Sequence, residues 1–156
     1  MDQAATWRPA RPDEDDAIVG LSLALFREDP SPHDPSAAQV QRTLAAYRAE
    51  PVRGRAVVLD AGDHLGGYAF LASFWSNELG GEVCVIDELY VAPAERGHGH
   101  GSILLRTLAE RPGVLWPAGA VALELETTAE NHRARSLYQR LGFGSKNAPL
   151  RRLIGR

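Results

Sequence analysis

The sequence contains one cysteine among 156 residues, which excludes an internal disulfide. Cys84 sits within an apolar run, where a small buried hydrophobe and a nucleophile are the two readings of it. Lysine is equally scarce: Lys146 is the only one, so the phosphate loop that requires Gly-Lys-Ser/Thr is absent. The positive charge is otherwise arginine, which we read as genome composition rather than function. There is no excess of positive charge either, the formal net charge being −3, and with it no electrostatic case for nucleic acid. No stretch approaches the ~18 apolar residues of a membrane span, and the first residues lack the basic flank and apolar run of a secretory leader. The expectation is a cytoplasmic protein without a membrane partner. Repeats, low-complexity tracts and linkers are missing too. A 44% hydrophobic, 24% charged chain of this length reads as one globular domain over residues 1–156.

What the chain does have is a glycine run in a telling place. Arg96-Gly97-His98-Gly99-His100-Gly101 separates an apolar strand, Glu82 to Val91, from a segment with Ile103, Leu104, Leu105 and Leu108 at helical spacing. Alternating glycines bare the backbone, and an anion placed there would meet exposed N–H groups and the positive end of a helix dipole, with Arg96 adding charge. Glycine-rich turns also end helices and form hairpins, so the glycines alone do not settle the matter. A dinucleotide fingerprint counted from Gly97 would need glycine where Ser102 stands. Ser102 itself reads as a helix cap or a phosphate contact. His98 and His100 could chelate, but they alternate with glycines and have no third ligand nearby in sequence, so no metal is expected.

The remaining pattern predicts alternating elements. Thr6 to Ala10 reads as a strand; Pro12-Asp13 starts a helix with Ile18, Leu21 and Leu25 on one face. Three prolines make Glu28 to Pro35 a loop. A helix from Ser36 to about Ala49 places Val40, Leu44 and Tyr47 together. Strands follow at Arg55 to Leu59, Leu65 to Trp75 and Glu82 to Val91, an antiparallel meander. Arg111-Pro112-Gly113 stops the next helix, Val121 to Glu126 is a strand, and Asn131 to Leu141 is a helix with Gly142 as its C-cap glycine. Leu150 to Ile154 is expected as a short strand.

Arg-x-x-Gly-x-Gly after a strand ending Leu-Tyr-Val, followed downstream by Asn131, Ala134, Tyr138 and Gly142-Phe143, resembles the two motifs of the GNAT acetyltransferase superfamily. The resemblance spans Glu82 to Phe143. It implies an α/β (α+β) fold with a mixed, mostly antiparallel sheet of about six to seven strands flanked by four helices, its central strands splayed. It further implies acetyl-CoA as co-substrate, with the backbone at Leu89, Tyr90 and Val91 on the pantetheine arm and Arg96, Gly97, His98, Gly99, His100, Gly101 and Ser102 around the pyrophosphate. Asn131 would contact the cofactor arm or an ordered water, and Tyr138 would be the general acid; a core role for Tyr138 is the alternative. Family members are often dimers, so a homodimer is an expected assembly.

N-acetyl transfer to an aliphatic amine needs a proton acceptor, because a pKa near 10.4 leaves about one molecule in a few thousand neutral at pH 7. Asp87 and Glu88 are adjacent carboxylates in an apolar strand. Successive side chains point to opposite faces, so the two cannot share a task unless a bulge twists the strand. Asp87 stands nine residues before Arg96, where polyamine and aminoglycoside acetyltransferases of the superfamily place an acid. Asp87 is therefore the first candidate base and Glu88 the second; ion pairing or capping is the competing role of each. Trp75 and Glu78, at a strand end, are candidate contacts to the acceptor. The acids Glu28, Asp29, Asp34, Asp87 and Glu88 favour a small cationic amine, with a protein lysine or N-terminal acceptor, or a non-catalytic acyl-CoA-binding module, as the other readings.

Overall fold

A computed structural model describes residues 4–144 and 150–154. The chain divides into two compact units, residues 1–126 and 127–156, each described by itself.

The first unit is a five-stranded sheet in the order β1-β2-β3-β4-β5: β1 Thr6–Pro9, β2 Gly54–Asp60, β3 Leu65–Ser76, β4 Gly81–Val91 and β5 Ala122–Leu125. Strands β2, β3 and β4 pair antiparallel in sequence order, as the meander pattern predicts; β1 joins β2 antiparallel and β5 joins β4 in parallel. Helices α1 (Asp15–Glu28), α2 (Ala37–Ala49) and α3 (His100–Glu110) complete it. The expectation of six to seven strands is corrected to five among the described residues. Residues 150–154 hold no strand, and Leu150 and Ile154 are almost wholly exposed; a short apolar segment without a ladder partner does not make a strand.

Period-2 alternation decides which side chains meet which helices. Val58, Tyr68, Phe70 and Tyr90 form one core cluster with Ile18 and Val19 of α1 and Val40 and Leu44 of α2. Val57, Leu59, Ala69 and Leu71, wholly buried, alternate onto the other face. Trp7, paired with Leu59, donates its indole N–H to the His100 carbonyl at 2.9 Å, which puts α3 on that side. Leu104, Leu105 and Leu108 are its buried stripe. Arg8 ties β1 to the chain on either side, donating to Glu14 and, at 2.8 Å, to Asp60.

The strands nearest the glycine run approach closely at Gly67, where a Cβ would stand 2.5 Å from the Tyr90 carbonyl oxygen and 3.3 Å from the Val91 Cα. Both neighbours are backbone and cannot swing aside. Gly67→Ala must therefore part β3 from β4, at a cost of about 2 kcal/mol, read as a fall of roughly 4–8 °C in melting temperature.

The second unit carries α4, His132–Arg140. Asn131 caps it, its Oδ1 accepting from the Ala134 amide at 3.2 Å. At the other end Gly142 takes φ +89°, and the amides of Gly142 and Phe143 donate to the carbonyls of Gln139 and Tyr138. These are the two bonds of a Schellman cap. Its usual apolar contact is present: the Phe143 ring meets that of Tyr138 edge-on at 6.0 Å. The glycine expected at the helix end therefore also sets the neighbourhood of the tyrosine.

Candidate active site

A bulge in β4 organises the site. Phe70 pairs with Glu88 and Leu71 with Ile86, leaving Asp87 as the extra residue. Before it, the Glu82 carbonyl faces β5, accepting from the Val121 amide at 2.8 Å. Beyond it, the Ala92 amide donates to the Gly66 carbonyl at 2.8 Å, so with alternate pairing Tyr90 and Glu88 bond toward β3. Leu89 and Val91 therefore turn their backbone groups the other way, toward the side on which β5 lies. The β5 register covers only Val83 to Ile86, so this later edge of β4 has no ladder partner among the described residues. An extended ligand can pair with Leu89 and with the Val91 N–H. The Val91 carbonyl is engaged, accepting from Arg96 Nε at 2.8 Å.

The glycine run follows a 3₁₀ turn at Pro93–Glu95. His64, in the β2–β3 turn, places its ring nitrogens against Asp63 and Glu95 at 2.6 and 2.9 Å, and the two carboxylates raise its pKa. Gly97 and Gly99 take φ +83° and +76°, the left-handed region that favours glycine. A Cβ at either would meet nothing within 4 Å; that open space is what a ligand approaching bare backbone requires. Gly99 is the N-cap of α3, not Ser102, which lies inside the first turn; the helix-cap reading of Ser102 is thereby corrected. The first bond of α3 runs from the Ile103 amide to the Gly99 carbonyl at 3.0 Å, so the amides of His100, Gly101 and Ser102 have no acceptor within the helix. The charge of Arg96 is turned to another task, its Nη2 donating to Glu28 at 2.6 Å. His98 places Nδ1 3.2 Å from the Glu95 carbonyl. Among the described residues no group of three or more His, Cys, Asp or Glu is placed to hold a metal ion.

The bulge also breaks the alternation between the two adjacent carboxylates. Glu88 Oε1 accepts from Tyr68 OH at 2.6 Å and from Ser22 Oγ at 3.2 Å. Both donors belong to residues with no exposed surface. Burial and the neighbouring charge of Asp87 raise the pKa of Glu88, and the two hydroxyl bonds oppose the rise. Tyr68 is itself driven far up by burial and by Glu88, so the proton in this pair stays on the phenol. Tyr47 of α2, edge-on to Phe70 at 5.9 Å, is pushed up to about 12 by burial and by the charges of Asp87 and Glu88. Glu88, half-buried, lies on the α1/α2 face against Ser22 and Tyr68, and Asp87 beside it is exposed.

Sequence reasoning brought Asp87 to Ser102 together, and the structure gathers them at the end of β4. It did not find Ser22, Tyr68 or Tyr47 as partners of the carboxylates. Ser22 had a signal: it lies four residues after Ile18, on the buried stripe of α1, where a hydroxyl needs a partner. Trp75 pairs with Glu82, five residues or roughly 16 Å along β4 from Asp87, and is 65% exposed; Glu78 is in the turn beyond it. Asn131 and Tyr138 belong to the second unit. The Tyr138 phenol is raised by burial and so keeps its proton at neutral pH. Cys84, wholly buried, is pushed up to about 12, which makes it inert as a nucleophile.

The model of the acetyltransferase (GNAT) family matches residues 16–143. A possible acetyltransferase from Clostridium difficile superposes with a TM-score of 0.80 at 18% identity, covering 97% of each chain. An integron cassette protein from the mobile metagenome of Cole Harbour Salt Marsh gives 0.79 at 24% identity, over 96% of this chain and 91% of that one. The ribosomal-protein-alanine N-acetyltransferase of Brucella melitensis biovar Abortus gives 0.75 at 16% identity, over 97% and 100%. No curated protein matches the sequence.

Proposed function

The chain belongs to the GNAT acetyltransferase family, and from that premise we propose that it moves an acetyl group from acetyl-CoA to the primary amine of a small cationic acceptor. The observation that carries this reading is the Asp87 bulge, which sets two adjacent carboxylates of β4 beside an open backbone edge and a glycine loop. Acetyl-CoA supplies the activated thioester. The residues present fit it: the Leu89 and Val91 edge suits the amide-bearing arm, and the positive-φ glycines with the amides of His100, Gly101 and Ser102 suit its pyrophosphate.

Glu88 accepts the ammonium proton. Its Oε1 is fixed by Tyr68 and Ser22, which leaves Oε2 for the acceptor, and its raised pKa makes it a better base than an ordinary carboxylate. The structure thus favours Glu88 where the sequence alone put Asp87 first. Asp87 adds negative charge that holds a cation near the reacting face. Tyr47, unable to ionise at neutral pH, offers a hydroxyl on the same face. Tyr138, protonated at neutral pH, is suited to return a proton to the departing thiolate. No helix among the described residues is long and apolar enough to cross a membrane.

Thiol release from acetyl-CoA, measured against polyamines, aminoglycosides, amino acids and lysine-bearing peptides, tests the reading. Turnover with a cationic small amine is expected. Turnover with peptides alone would transfer the assignment to a protein acetyltransferase. The pH profile gives a second check. Activity requires ionised Glu88 and so rises with pH through its pKa. Tyr68→Phe removes a donor that stabilises the charged form, so the acid limb of kcat moves to higher pH by about one unit.

A further inference from the structure

The glycine loop is tied to the end of α1 by one arginine. Glu28, the last residue of that helix, accepts from Arg96 Nη2 at 2.6 Å and from Tyr90 OH at 3.1 Å. The same guanidinium lies 5.5 Å over the Tyr90 ring, and its Nε holds the Val91 carbonyl. Arg96 thus joins α1, the last carbonyl of β4 and, through its own backbone, Gly97. Burial and the Arg96 bond act oppositely on Glu28, and the bond prevails, holding its carboxyl below the usual range; the pair stays charged at neutral pH.

A loop with two left-handed glycines gains conformational freedom that binding must remove, unless its flank is already fixed. We propose that Glu28 is a positioning residue for acetyl-CoA: by holding Arg96 across the end of β4, it fixes the Val91 edge and the entry to the glycine loop without touching the cofactor. This rests on the acetyl-CoA reading above. The ion pair is partly exposed, 35% at Arg96 and 43% at Glu28, so it adds little to global stability. Its effect is local, on the two segments that receive the cofactor. Glu28 also begins the connection to α2, so the contact joins that connection to the cofactor side.

The test is titration of acetyl-CoA into the full chain and its Glu28→Gln and Tyr90→Phe variants, with steady-state rates alongside. Glu28→Gln keeps the size of the side chain and removes its charge. Its acetyl-CoA Kd and KM are expected to rise about tenfold, while kcat stays within about twofold and the melting temperature within about 2 °C. Tyr90→Phe, losing the weaker bond only, is expected to raise Kd about twofold. Equal acetyl-CoA affinity in Glu28→Gln and the parent would overturn the proposal. Tighter binding would overturn it as well, showing that Glu28 withholds Arg96 from the phosphates. A parent chain that binds no acetyl-CoA would remove the acetyltransferase reading itself and this proposal with it.

Discussion

Glu88→Gln is expected to lower kcat by roughly 10²- to 10⁴-fold, the usual worth of a positioned base, with the acetyl-CoA KM nearly unchanged. Glutamine keeps an oxygen to accept from Tyr68 and Ser22, so the buried hydroxyls remain satisfied and the fold survives. What it lacks is the ability to take a proton from an ammonium. The rate should therefore become strongly dependent on pH in the alkaline range, where the free amine supplies itself already deprotonated. Asp87→Asn, at an exposed site, should act mainly on the amine KM, by less than tenfold. Steady-state kinetics of the two variants separate the roles: a larger loss of kcat in Asp87→Asn than in Glu88→Gln would reverse the assignment.

Gly99→Val carries the second large effect, and on binding rather than turnover. Gly99 takes φ +76°, where a β-branched residue is strained by about 1–3 kcal/mol, and its new side chain would enter the open space in front of the α3 amides. Losing one or two bonds from those amides to a charged phosphate costs about 3 kcal/mol, or roughly 100-fold in acetyl-CoA Kd. Calorimetric titration reads this directly. Affinity within threefold of the parent would mean that the pyrophosphate lies elsewhere.

Much of this site was legible because its chemistry is local. The glycine run, the strand before it and the amphipathic helix after it are consecutive in sequence, and their periodicities name them. Gly142 was legible for the same reason: a Schellman cap is decided within six residues. The bulge at Asp87 was not, although the sequence argument named what a bulge would do. It depends on the pairing of β4 with β3, and nothing in Val85-Ile86-Asp87-Glu88-Leu89 says where the register slips. Tyr68 and Ser22 were hidden by distance, lying 20 and 66 residues from Glu88. The sixth strand failed for the converse reason: a short strand was expected at 150–154, but a strand exists only with a partner. Arg96 shows a third limit. Its motif position pointed to the phosphate, while the structure turns its guanidinium toward Glu28 and Val91.

The most direct test of the account is the melting temperature of the chain with and without saturating acetyl-CoA, run beside NAD and ATP. A ligand held by the native state at a hundred times its Kd adds about 2.7 kcal/mol, which here corresponds to a rise of roughly 5–10 °C. The account predicts that rise with acetyl-CoA, none with NAD or ATP, and its loss in Gly99→Val. An unchanged melting temperature at saturating acetyl-CoA, or a rise that Gly99→Val leaves intact, would contradict the glycine loop as the place where the cofactor is held.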